Sequence, residues 1–289
     1  MKSIAIIGAG RLGTSLAHAL SQKGYAIKAL SCRSSLSAEE SRHIIGQGNP
    51  STDNVRTAAQ GEILFLTVPD DELEGVVEEL AFAALEWKGK LVFHCSGLLT
   101  SKILAAFKAK GAHTASVHPG QSFPNKKCPF DIFQDIFFAL EGDAQALSAA
   151  KDIVKILGAR HFTIRAKDKA TYHTACSLAS NMCVVLLYSA ISLLSECGIG
   201  EKQAKKILWP LVEGTLHNVN KIDIFNALTG PFPRGDLNTI KKHLAELKKF
   251  PSLHGIYIDL ARQALEMAKR GKKVPREKIS AMEALLGLE

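Results

Sequence analysis

A glycine-rich turn at residues 8–13 constrains this chain more than any other feature. Gly8, Gly10 and Gly13 stand in the pattern G-x-G-x-x-G, with Arg11 and Leu12 in its variable positions. The turn follows the apolar run Ile4, Ala5, Ile6, Ile7 and opens into a stretch, 14–20, with helical apolar spacing. Strand, glycine turn and helix in that order mark a βα unit that holds a dinucleotide pyrophosphate. The first glycine permits the tight turn, the second lets the backbone approach the phosphates, and the third lets helix and strand pack closely. The helix N-terminus then offers unpaired N–H groups and partial positive charge to the anion. A turn that binds nothing is the competing reading, and the strand before and helix after it argue against that.

The end of the second strand indicates which dinucleotide. An apolar run at 26–30 ends in Ser31, Cys32, Arg33, Ser34 and Ser35. A site for NAD usually carries Asp or Glu here to accept from the ribose 2′-hydroxyl. The first acids in this chain are Glu39 and Glu40, and Arg33 stands among serines instead. A guanidinium beside the Ser34 hydroxyl suits a 2′-phosphate, so the expected cofactor is NADP(H). The bland alternative is a solvated loop arginine.

Further along, apolar strands are expected at 63–68 and 90–94, helices at 71–85 and 101–109, and another strand at 114–117. Their ends, at Val68 and Pro69, at Ser96, and at His118, should converge on one crevice beyond the carboxyl edge of a mostly parallel sheet. Val68, Pro69 and Ser96 are accordingly expected to face the cofactor. Residues 125–164 read as an annex of strand, helix and strand. From 166 onward the pattern is helical only, which gives two domains, 1–165 and 166–289. The segment 167–197 lacks proline and glycine and is expected to form one helix of about eight turns. Its second half is nearly all apolar, as a helix buried in a domain or a subunit interface would be; Asn181 and several serines make it a poor membrane span. A helix over 202–219 should kink or break at Pro210. The stretch 228–236, with two prolines and two glycines, should not be helical, and helices follow at 237–250, 253–270 and 275–286.

Length and composition permit two domains with a sizeable core, since 46% of the 289 residues are hydrophobic. The chain opens directly into a strand, so no signal peptide is expected. Six cysteines without a C-x-x-C pair read as reduced thiols of a cytoplasmic protein, and Cys176 and Cys183 as small core residues on one helix face. The net charge is +8, and residues 201–289 carry 16 Lys+Arg against 10 Asp+Glu. The runs at 248–249 and 269–273 lack interleaved aromatics, which points to solvated helix faces rather than a nucleic-acid surface. No metal-ligand spacing is present.

The chemistry is expected at the start of the long helix. Lys169, His173, Ser177 and Asn181 recur every four residues and form one polar stripe on an otherwise apolar helix. Carbonyl reduction needs an acid to protonate the oxygen as hydride arrives, together with donors to hold it. Lys169 or His173 can be that acid, whereas Asn181 can only orient. His173 is preferred for its central place, Lys169 being near a helix start that could fray. His118, Ser177, Thr229 and Arg234 are the candidate substrate contacts, Arg234 because a guanidinium suits a carboxylate. Asp236 is placed to cap the helix that follows it.

Five motifs carry a family resemblance: GAGRLG at 8–13, HCSG at 94–97, VHPGQSFP at 117–124, DKATYHTACSLASN at 168–181 and ALTGPFPRGD at 227–236. Together they resemble a bacterial family that pairs a Rossmann-like NADP-binding domain with a helical domain of uncharacterised function. The first domain is similar to that of deazaflavin-dependent NADP reductases, and the overall plan to ketopantoate reductase and pyrroline-5-carboxylate reductase. The resemblance implies an α/β N-terminal domain followed by an all-α domain of the 6-phosphogluconate-dehydrogenase C-terminal type. It also implies a homodimer through the helical domain. Ketopantoate reductase pairs its lysine with an asparagine one turn on; here that position is His173. The expected activity is NADPH-dependent reduction of a small 2-oxo acid, with ketopantoate as the named candidate. An imine reductase and a non-catalytic NADP-binding regulatory protein are the alternatives. Neither a nucleic-acid nor a membrane partner is expected.

Overall fold

The structure, a computed structural model, describes residues 2–271 and 274–288. Two compact units divide it, 1–182 and 183–289. The sequence pattern changes at 165/166, where the strands end; the first unit continues through one further helix.

The first unit opens with β1 (Ile4–Ile7), α1 (Arg11–Gln22), β2 (Ile27–Ser31), α2 (Ser35–Ile45), β3 (Asn49–Ser51), α3 (Asn54–Ala58), β4 (Ile63–Leu66), α4 (Asp70–Phe82) and β5 (Leu91–His94). A 3₁₀ turn (Ser101–Leu104) leads into α5 (Ala105–Ala109), followed by β6 (His113–Pro119), β7 (Phe137–Gly142), α6 (Ala144–Ile156) and β8 (Arg160–Thr163). A second 3₁₀ turn (Ala166–Asp168) then runs into α7 (Lys169–Ala179).

All eight strands form one sheet in the order β3-β2-β1-β4-β5-β6-β7-β8. The first six make the doubly wound order 3-2-1-4-5-6 of dinucleotide-binding sheets. Every pairing is parallel except β6 with β7, where the annex begins. The central strands β1, β4 and β5 are buried along their whole length, as strands covered on both faces must be. Two apolar clusters result, one on each face. One holds Ile4, Ile6, Leu16, Leu20, Phe65 and Phe93; the other holds Ile7, Leu64, Leu66, Leu80, Trp87 and Phe107.

The second unit is helical: α8 (Asn181–Glu196, all but its first two residues), α9 (Glu201–Lys221), α10 (Ile224–Ala227), α11 (Pro231–Arg234), α12 (Leu237–Leu247), α13 (Pro251–Arg270) and α14 (Arg276–Leu285). Its core is small and gathers Phe232, Ile240, Leu265, Met282 and Leu286 from the last four helices.

Five local expectations are corrected. The long helix breaks at Ser180 (φ −114°, ψ −73°), so Asn181 starts a new helix and the four-residue polar stripe is not continuous. Cys176 and Cys183 therefore sit on separate helices, and neither is buried. None of the residues of α8 is buried within the chain, so of the two places expected for this run, a domain core and a subunit interface, the domain core is the one corrected. Pro210 lies inside an unbroken α9: that helix buries only Ala204, so the carbonyl that proline leaves unpaired is open to water. Residues 231–234 form one helical turn, with prolines in its first and third positions.

The segment Ala166–Glu196 is long and apolar enough to cross a membrane by length and composition alone. As folded, the apolar helix α8 has 16 residues, about 24 Å, against a hydrocarbon core of about 30 Å. In the basic run at 269–273, Lys269 pairs with Glu266 and Glu283, while Lys272 and Lys273 lie outside the described residues.

Candidate active site

The glycine turn has the geometry its spacing implies. Gly8 has φ +84°, and a Cβ there would meet Val68 Cγ1 at 2.6 Å and Val68 N at 2.7 Å. A Cβ on Gly13 would overlap the Thr67 hydroxyl and the Gly8 carbonyl, so α1 lies directly against the β4 end. The Thr67 hydroxyl bonds the Gly8 carbonyl at 2.8 Å and ties the turn to the next strand. The α1 N-terminus has no side-chain cap and no acid in its first turn, which leaves its N–H groups free for an anion.

In front of this turn lies a groove of about 730 Å³. Gly8, Gly10, Arg11, Arg33, Ser34, Val68 and Pro69 line it, as the sequence proposed. Ser31, Ser37, Thr52 and Asn54 add hydroxyl and amide groups around Arg33. Leu12 instead packs against the core, and Gly13 serves helix packing. The groove's size, its glycine floor and its basic, hydroxyl-rich end fit a dinucleotide with a 2′-phosphate.

Ser96 links this groove to a second polar cluster. Its hydroxyl donates to Asp70, next to the groove residue Pro69, at 2.8 Å, and accepts the Leu98 and Leu99 N–H groups. Its carbonyl accepts from Lys169 Nζ at 3.1 Å and from the Ser116 hydroxyl at 3.1 Å. Lys169 also donates to Ser116 Oγ at 2.6 Å. The ammonium is thus held by Ser96, just past the end of β5, and by Ser116 in the middle of β6, and the side chain is 0% exposed. The expected fraying of the helix start does not reach it. Burial pushes the Lys169 pKa down to about 8, while Glu141 and Asp70 pull the other way. Glu141 is itself held by the Ser101 N–H and hydroxyl.

Two histidines border the lysine. His94 is fully buried, and its Nδ1 accepts the Ser96 N–H at 3.2 Å. Burial, and then the Lys169 charge, push its pKa down to about 3, so it stays neutral. His118, at the end of β6, is pushed down to about 4 by burial, Lys169 and His173. Its Nδ1 lies 2.9 Å from the Tyr172 hydroxyl, and its ring stands edge-on to that of His173 at 5.8 Å. Gly97 makes room for both histidines: a Cβ there would meet His173 Cδ2 at 2.5 Å and His118 Nε2 at 2.8 Å. Cys95 beneath them is pushed up to about 12 by burial and stays a thiol.

Lys169, His173 and His118 are therefore brought together with Ser96. Ser177 follows on α7, half-buried, and Asn181 lies beyond the break, exposed. Thr229 and Arg234 are exposed residues of the second unit, and Asp236 caps α12 by accepting the Thr239 N–H at 3.1 Å. Ser116 and Tyr172 join the cluster without having been singled out from sequence. Ser116 had no sequence signal, since Thr114 to Val117 of β6 are all buried and no alternation marks one face; Tyr172 could have been found from its place beside His173 on the first turn of α7. Among the described residues no group of acids, histidines and cysteines could hold a metal.

The geometry agrees with what the chain resembles. Residues 1–119 match the model of a Rossmann-like domain, and residues 136–264 that of a domain of unknown function, DUF2520. A 3-sulfolactaldehyde reductase of Escherichia coli is 26% identical over 167 residues, 55% of this chain and 52% of the relative. The chain thus spans about half the length of the curated relatives it matches. A Bacteroides fragilis protein assigned as an NADP oxidoreductase has a similar structure: TM-score 0.77, 24% identity, covering 91% of this chain and 97% of that one. A Plasmodium falciparum pyrroline carboxylate reductase, solved with NADP bound, follows at TM-score 0.60 and 17% identity, covering 94% and 97%. This chain joins a Rossmann-like domain to a DUF2520 domain.

Proposed function

We propose that this protein is an NADPH-dependent reductase of a small, anionic carbonyl compound, a 2-oxo acid with ketopantoate as the first candidate. The observation that carries this reading is the Lys169–Ser96–Ser116 cluster, with His118 and His173 beside it, at the carboxyl edge of the sheet whose first turn is shaped for a dinucleotide. Bound in the groove, the cofactor supplies the hydride. Arg33 and the serines around it hold the 2′-phosphate, and the α1 N-terminus holds the pyrophosphate.

The remaining roles follow from exposure and charge. Lys169 has no exposed surface, so it acts as a buried positive charge that stabilises negative charge developing on the carbonyl oxygen. His173 is half-buried and reachable, which makes it the proton donor. A fixed ammonium beside the reacting centre also bears on substrate class. It attracts a carboxylate or sulfonate and repels a protonated imine, favouring an anionic carbonyl over the cyclic imine of a pyrroline carboxylate reductase. The 3-sulfolactaldehyde of the curated relative is likewise a small anionic carbonyl.

We also propose a homodimer through the helical unit, supported by the exposed apolar faces of α8 and α9. The deciding experiment is an NADPH-oxidation screen over 2-oxo acids, 3-sulfolactaldehyde and cyclic imines. Turnover of an anionic carbonyl supports the reading. Turnover of cyclic imines alone, or of nothing while NADPH still binds, overturns it.

A further inference from the structure

The Tyr172–His118 pair has no part in the roles assigned so far. Tyr172 projects from the first turn of α7, one position before His173, and its ring stands edge-on to Phe162 and to His118. Its hydroxyl lies 2.9 Å from His118 Nδ1. Among the described residues Nε2 of the same ring has no hydrogen-bond partner, and it borders the space that a side chain at Gly97 would fill. The His173 ring borders the same space.

We propose that Tyr172 is a positioning residue that locks His118 in its Nε2–H tautomer, so that the ring presents a neutral N–H donor to the substrate oxygen beside Gly97. The proposal rests on the reductase reading and deepens it, since it names the second group that holds the reacting oxygen.

The direction of the hydrogen bond follows from chemistry. A phenol is a good donor and a modest acceptor, whereas the unprotonated nitrogen of a neutral imidazole is a strong acceptor. If Nδ1–H donated instead, the Tyr172 proton would have to turn to the Cys176 sulfur one turn along the helix, a weak acceptor. Burial raises the Tyr172 pKa and lowers that of His118 to about 4, so the phenol keeps its proton and the ring stays neutral. A ring whose Nδ1 accepts carries its single proton on Nε2. His173 and His118 then border the oxygen's site, one to protonate and the other to hold, while Lys169 supplies charge from its buried place. A neutral donor suits the first task's neighbour better than a second cation. An imidazolium at His118 would face both Lys169 and His173, and their charges oppose it.

The test reads the tautomer directly and needs no turnover. Long-range ¹H–¹⁵N correlation spectra of the full chain, labelled at the histidine ring nitrogens, distinguish the two neutral tautomers and the imidazolium. The His118 signals are assigned by their loss in His118→Gln. The wild-type ring is expected as Nε2–H at neutral pH, and Tyr172→Phe is expected to convert it to a mixture of tautomers. Addition of NADP⁺ and oxamate, an unreactive 2-oxo acid mimic, should shift the Nε2 resonance in the wild type. An Nδ1–H ring in the wild type, or a His118 signal unchanged by Tyr172→Phe, overturns the proposal. The wild-type spectrum decides alone should the variant fail to fold. With any anionic carbonyl that the screen identifies, Tyr172→Phe should lower kcat by about tenfold while the KM for NADPH stays within about twofold. If no substrate is turned over, the tautomer result still stands, so failure of this proposal and failure of the reductase reading are told apart.

Discussion

The two units bury their apolar residues to very different degrees. In the first, four consecutive residues of β1, β4 and β5 are buried, and even a lysine is closed off from solvent. In the second, α8 buries nothing and α9 buries one alanine, while Tyr188 and Leu211 are 70% and 67% exposed. A groove lined by Val184, Leu187, Tyr188, Ile191, Trp209 and Pro210 runs between α8 and α9. The first unit builds two cores of its own, because its sheet is covered on both faces, and leaves scattered exposed residues such as Leu36 and Phe82 rather than whole apolar helices. The second leaves large apolar side chains of α8 and α9 open, Val184, Tyr188, Trp209 and Leu211 among them, and these faces are where the proposed homodimer would form. On the proposed reading chemistry and association therefore separate: the polar cluster sits in the first unit, and the proposed interface in the second.

The largest expected effect breaks the chemistry without touching the association. His173→Ala should lower kcat by about 10²–10⁴-fold with NADPH affinity preserved, because the glycine turn and Arg33 are unaltered. Lys169→Met should be comparably damaging, since it removes the charge while retaining the buried volume. Steady-state kinetics and NADPH titration of each variant check this, with light scattering to confirm an unchanged assembly. Near-normal turnover in His173→Ala would move the proton transfer to Lys169; near-normal turnover in both would remove α7 from the catalytic surface.

The converse experiment breaks association alone. Tyr188→Lys places an ammonium in the apolar groove. Burying it in an interface costs several kcal/mol, and about 3 kcal/mol is already on the order of 100-fold in Kd. The wild type should scatter as a dimer at micromolar concentration and the variant as a monomer. A monomeric wild type would mean that the exposed apolar faces have some other occupant.

What could be read in the sequence differs along the same line. The βα unit at 4–20 was legible because three local requirements coincide in one short stretch: a buried strand, a turn that only glycine tolerates, and a helix start. Arg33 was legible because the competing acid is absent. β3 was not, being a three-residue edge strand with Pro50 at its centre, a position that proline occupies only where no ladder N–H is needed. The break at Ser180 has no proline or glycine to announce it. Lys169 and His173 could be named from helical spacing, but their companions come from other elements: Ser116 from β6, Asp70 from the start of α4, the Ser96 carbonyl from the β5 end. Periodicity reports which residues share a face of one element. It does not report which faces the sheet register brings together.

A smaller effect sharpens the assignment of the groove to the first unit. NADPH should bind at least about tenfold more tightly than NADH, about 1.4 kcal/mol, and Arg33→Asp should reverse the order by replacing attraction for the 2′-phosphate with repulsion. Isothermal titration of both cofactors measures it. Equal wild-type affinities would show that Arg33 is a solvated loop residue.

The smallest effect is a difference in acid lability that the two tryptophans can report separately. Trp87 is buried in the first unit, stacked on Phe107 at 4.2 Å, and Trp209 is exposed in the second. His94 is held near pKa 3 and His118 near 4 in the folded state, against about 6.5 when unfolded. Both folded values are depressed, so below about pH 6.5 the unfolded chain takes up protons that the folded chain refuses. The stability these neutral rings allow is complete above pH 6.5 and is lost progressively as the pH falls towards 4 and then 3. Melting of Trp209→Phe, followed by the emission of Trp87 alone, should therefore shift to lower temperature across that window. Adding His94→Asn, whose amide oxygen can accept the Ser96 N–H as Nδ1 does but does not titrate, should flatten part of the slope. A Trp87 transition indifferent to pH between 6.5 and 4 would mean that the two rings are not held neutral by the fold, and the electrostatic account of the cluster around Lys169 would fall with them.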